Sequence, residues 1–207
     1  FTTACAYGGP GNMLDDCANV NAGITGGGAT VGAAYDFGTG LTAAFGAQTT
    51  EDAVFTDESL DSYALNAAYT ADSYGVSVTY GVVETSTTNE DTYTAFNAYY
   101  LPEGSNLPSL SVGYEIGDIG GAAATVDEKT SFMVGLSWDE VGPGSAGVAV
   151  GHSSTVEGSD EEYQYEAYYS YPINDGMTIT PLIYSKDNAT SNKDDSTGVM
   201  VKTSFSF

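Results

Sequence analysis

The chain of 207 residues predicts an all-β fold, a transmembrane antiparallel β-barrel with about eleven strands in this chain. Three observations carry that expectation. Apolar residues recur with period two in short segments bounded by turn residues. The connections between those segments alternate between short and long. Inside the segments, charged residues keep to one parity.

The segments fall at residues 30–37, 41–48, 63–70, 76–83, 93–100, 110–117, 131–138, 146–153, 163–171, 177–185 and 197–207. In VGAAYDF the apolar parity is Val31, Ala33, Tyr35 and Phe37; in VSVTYGV it is Val76, Val78, Tyr80 and Val82; in SFMVGLSW it is Phe132, Val134, Leu136 and Trp138. Successive side chains of a strand point to opposite faces, so such alternation puts one face in apolar surroundings and the other in polar ones. The connections FGTG, ADSYG, PEGSNLPS, DEVGPGS and PINDG hold the Gly and Pro that tight turns require. QTTEDAVFTDESLD, ETSTTNED, GDIGGAAATVDEK, TVEGSDEE and KDNATSNKDDST are longer and carry most of the acid. One clipped rim and one ornate rim is the pattern of outer-membrane barrels.

Within the segment cores the charges are Asp36, Glu115, Glu166 and Lys202, all on the polar parity. A lipid-facing Lys or Arg at mid-bilayer costs roughly 2–4 kcal/mol. Aromatic rings gather where segments meet short turns: Tyr35, Phe37, Tyr69, Tyr99, Trp138, Tyr171, Phe205 and Phe207. Rings with an apolar body collect at membrane interfaces, so these are the expected interfacial girdle. On the inward parity, Glu115, Glu166 and Lys202 are the candidate lumen-lining charges, where rings of charge bias ion passage.

Composition narrows the function. There are 28 acidic residues against four Lys and no Arg, for a formal net charge of −24; such a surface repels phosphate backbones and excludes nucleic acid as a partner. Hydrophobic residues make up 42% of the chain, enough to sustain a folded core rather than disorder. No stretch of roughly eighteen apolar residues offers a membrane helix. Cys5 and Cys17 sit in a segment rich in Gly, Asn and Asp. An oxidising compartment would allow them to close a short loop and add roughly 3 kcal/mol, two free thiols being the alternative. Residues 1–28 are expected to be a loop-like extracellular segment and 29–207 the C-terminal part of the barrel. Strand direction, counted back from the last segment, places residues 1–28 outside the cell and calls for at least one further strand before Phe1. A strand hidden within residues 18–28 would serve instead.

The tail, residues 171–207, above all INDGMTITPLIY and TGVMVKTSFSF, resembles the C-terminal end of cyanobacterial outer-membrane porins of the Som type, also called iron-uptake porins and related to carbohydrate-selective porins. GLTAAFGAQT and the cadence from residue 30 onward support the resemblance. It implies a bacterial outer-membrane channel with long loops extracellular, a homotrimer embedded in outer-membrane lipid, and a barrel of about 16–18 strands in which the missing N-terminal part of the same polypeptide completes the wall.

No catalytic residue, metal site or cofactor is expected. His152 is followed directly by Ser153, and adjacent strand residues point to opposite faces, so the two form no dyad. GITGGGATVG lacks the Lys-Ser or Lys-Thr of a phosphate loop. Acidic stretches such as SDEE lack calcium-loop spacing. The expected function is passive diffusion of inorganic ions and small hydrophilic solutes, iron or sugars among the candidates, through a water-filled channel. The alternative is a secreted or surface acidic β-protein for adhesion or divalent-ion binding.

Overall fold

The structure, a computed structural model, describes residues 1–9, 17–24, 28–49, 60–86, 88–104, 106–121, 126–188 and 194–206. The strands are β1 (Ala29–Asp36), β2 (Leu41–Thr49), β3 (Asp61–Thr70), β4 (Tyr74–Ser86), β5 (Asn89–Tyr100), β6 (Ser109–Asp118), β7 (Glu128–Val141), β8 (Gly144–Val156), β9 (Tyr163–Asn174), β10 (Met177–Lys186) and β11 (Ser196–Phe205). They form one all-antiparallel sheet of eleven strands in sequence order, with β1 and β11 as its two edges. Among the described residues there is no helix, and the sheet does not close on itself.

Each segment expected from the alternation is a strand, but several run further. Pairing between β4 and β5 continues to Ser86 opposite Asn89, so ETSTTNED is a narrow hairpin end rather than an open loop. Between β7 and β8 the ladder closes down to Val141 opposite Gly144, and Gly142 takes the left-handed conformation that this turn demands (φ 63°). No strand forms among the described residues of the stretch 18–28.

The two faces differ sharply. Val112, Val134, Val150 and Tyr165 make a continuous cross-strand row on one face of β6 to β9. That face stays open: Leu65 is 61% exposed and Val201 61%, with no second layer of protein over them. The other parity is polar and enclosed; Thr79 and Ser131 are both 0% exposed. Small inward residues and large outward ones make the polar face the sheltered side of the sheet. At the short-turn end Tyr35, Phe37, Tyr69, Tyr171 and Phe205 stand exposed, while Trp138 on the same face is half-buried.

Tyr99 departs from the expectation. Its strand neighbour Tyr100 occupies the apolar face, and the Tyr99 ring lies on the polar face over Gly75, where a Cβ would collide with it. Two consecutive tyrosines necessarily split between the faces, and the register of β4 opposite β5 decides which goes where: Gly75 pairs with Tyr99 and Tyr74 with Tyr100. Phe207 lies outside the described residues.

Candidate functional site

The polar face carries a passenger. Residues 1–9 and 17–24, joined by the Cys5–Cys17 disulfide, lie across the strands on this side of the sheet. The described parts of the expected loop-like segment therefore pack against the polar face of the sheet. The first limb is extended, so alternate N–H groups point the same way, and three of them reach three strands. Thr2 N donates to Asn66 Oδ1 on β3 (3.1 Å), Ala4 N to Ser77 Oγ on β4 (2.9 Å) and Ala6 N to Ser111 Oγ on β6 (2.9 Å). Asn66 Nδ2 returns a bond to Thr2 O (3.1 Å). Tyr7 ends the run: its hydroxyl donates to Glu166 Oε1 on β9 (2.6 Å), and its ring meets Tyr168 edge-on at 5.9 Å.

The second limb is held by its carbonyls and then by its amides. Asn97 Nδ2 on β5 donates to Cys17 O (2.5 Å), and Ser131 Oγ on β7 donates to Ala18 O (3.1 Å). Glu115 on β6 gathers three donors: Ala22 N to Oε2 (2.7 Å), Asn21 N to Oε2 (2.8 Å) and Asn21 Nδ2 to Oε1 (2.7 Å). Asn21 Nδ2 also reaches Ser154 Oγ on β8 (3.2 Å). A carboxylate at 2% exposure would be costly without partners; two adjacent backbone amides aimed at one carboxylate are a strong, charge-assisted answer.

Apolar contacts back the polar ones. Tyr7, Cys17 and Ala18 pack with Met133 and Ala149, and Ala22 packs with Tyr93 and Ala95. The wall leaves room by placing Gly beneath the limbs. A Cβ at Gly113 would run into Cys17 O, one at Gly81 would lie 2.9 Å from Gly23 N, and one at Gly135 would lie 2.7 Å from the Tyr7 ring. The glycines of the polar parity thus serve close packing.

The three candidate lumen charges all lie on the polar parity, but in different states. Glu115 and Glu166 (4% exposed) are covered by the segment and anchor it. Lys202 on the edge strand is exposed. Burial, and then the hydrogen bond to Glu166, raise the Tyr7 phenol above its ordinary value near 10.

His152 lies on the apolar face near the long-connection end. It is 4% exposed because Phe132 (4.9 Å) and Tyr163 (6.0 Å) flank its ring. Its Nδ1 is 3.2 Å from Thr155 Oγ1, while Ser153 bonds Gln164 on the opposite face; the two residues are separated by the sheet. Among the described residues, no group of three or more His, Cys, Asp or Glu is placed to hold a metal ion.

Sequence reasoning found the wall charges and the cysteines but missed Asn66, Ser77, Asn97, Ser111 and Ser131 as docking groups. Their only signal was polarity at inward positions, which a wet wall also explains. No protein-family model matches the chain, and no curated protein matches it, so the functional reading rests on the two faces of this sheet and on the segment that crosses one of them.

Proposed function

We propose that this chain is the C-terminal part of a bacterial outer-membrane porin, similar to the Som type, whose sheet forms part of the wall of a water-filled channel for inorganic ions and small hydrophilic solutes. The observation that carries the reading is the inverted burial: Val, Leu, Phe and Tyr face outward uncovered, while Ser, Thr, Asn and Glu are enclosed. In water a contiguous exposed apolar face such as this would be an aggregation hazard; in hydrocarbon it is the required surface. Exposed aromatic rings at the short-turn end suit an interface girdle.

Unpaired backbone at β1 and β11 would be costly in lipid. We assign closure to further strands of the same polypeptide, for a total of about 16–18. The segment tied down by Glu115 and Glu166 then projects into the lumen and narrows it. Acidic long connections at the outer rim enrich cations near the mouth, an effect that salt screens over a Debye length of about 8 Å.

Reconstitution of the detergent-extracted full polypeptide into planar bilayers tests the reading. The expected result is stepwise ohmic conductance that scales with ionic strength. A protein that stays dispersed without detergent and produces no steps would instead favour the secreted acidic β-protein.

A further inference from the structure

We infer that the short-turn end of the polar face holds a binding site for a small inorganic oxyanion, centred on Lys202. The site is a row of side chains running straight across four neighbouring strands. Ser145 on β8 pairs with Ser170 on β9, Ser170 Oγ lies 3.0 Å from Thr180 Oγ1 on β10, and Thr180 pairs with Lys202 on β11. One step nearer the turns, Thr178 pairs with Ser204. These two rows border a cavity of about 300 Å³, at the lower end of the usual range for ligand sites. It is closed on one side by Gly8 of the N-terminal segment and by Tyr168, the ring on which Tyr7 packs.

The chemistry selects the ligand. The rotatable hydroxyls of Ser145, Thr178 and Ser204, and whichever of Ser170 and Thr180 is not donating to the other, can donate to a compact anion, and an ammonium supplies the charge. The charge is not spent elsewhere: among the described residues Lys186 is paired with Glu162 (3.1 Å), whereas no carboxylate lies within ion-pair distance of Lys202. What sets Lys202 apart is the hydroxyl-lined cavity it borders, since Lys129 is likewise without an ion pair among the described residues. Asp139 and Glu140 border the adjoining cavity near the β7–β8 turn and repel an anion there, which confines it to the Lys202 side. The arrangement does not depend on the wall enclosing a passage; it needs only that water reaches the polar face.

Inorganic phosphate titrated into the isotopically labelled full polypeptide in detergent micelles, with chloride balancing ionic strength, tests the assignment. Backbone amide shifts at Thr180, Lys202 and Ser204 are expected to move and saturate. Lys202→Gln is expected to weaken binding at least tenfold, and Thr180→Val several-fold, while Lys202→Arg retains it. Shifts that fail to saturate, or a Lys202→Gln protein that binds phosphate as the parent does, would overturn the site. Because the readout is binding rather than conductance, a failed channel assay leaves this result standing on its own.

Discussion

At the scale of single residues, the carboxylate of Glu115 is the fixed point about which the second limb is arranged. Replacing it with Ala leaves Asn21 N and Ala22 N without their acceptor. A hydrogen bond to a charged group contributes about 1.5–3 kcal/mol, and Glu115 accepts from three donors, so Glu115→Ala is expected to lower stability to urea by at least that amount, measured on the micelle-bound protein. Tyr7 gives a pH dependence. Its folded pKa is raised, by burial first and by Glu166 second, so the unfolded chain gives up that proton near pH 10 while the folded one keeps it. The contribution to stability is therefore complete below pH 10 and is lost as the pH rises above it. Tyr7→Phe is expected to flatten that alkaline loss, which unfolding curves at several alkaline pH values will show. Parity alone was enough to place Glu115, Glu166 and Lys202 on the polar face of the sheet. It could not reveal what sits on the two carboxylates, because the donors to Glu115 are 93 and 94 residues away in sequence, and contacts of that range leave no periodic trace. Tyr99 failed for a related reason: in a Tyr-Tyr pair at a strand end, cross-strand register rather than local pattern assigns the faces.

At the scale of elements, the strands were legible because each has one apolar neighbourhood and one polar neighbourhood along nearly its whole length. Their ends were less so. β4, β5, β7 and β8 continue past the apolar band into mostly polar residues, and there the alternation that marks a strand disappears while the ladder does not. The N-terminal element was legible only as a loop rich in Gly and Asn; its docking depends on gaps in the wall. Gly113→Val puts side-chain atoms where the Cys17 carbonyl lies and is expected to unseat the second limb, so that limited proteolysis cuts within residues 17–24 at a rate well above the parent's. Gly23→Ala, with open space around its Cβ, is expected to leave the cleavage rate unchanged. Equal protection in both variants would mean that the limb is not held against β6.

For the whole molecule, the decisive asymmetry is between the two sides of one sheet. Val134→Lys introduces an ammonium in the middle of the apolar face, in the row with Val112 and Val150. If hydrocarbon covers that face, the change costs about 2–4 kcal/mol of folding stability in lipid vesicles; an effect near zero would mean that the face meets water. The order of the strands has a further consequence. Every strand of the sheet finds its partner next door in the chain, yet residues 2–7 bind side chains on β3, β4, β6 and, 159 positions from Tyr7, β9. The docked segment therefore cannot be fully seated until β9 has formed, so its seating is a late event. A chain interrupted before Glu166 would build sheet yet leave Tyr7 unmoored.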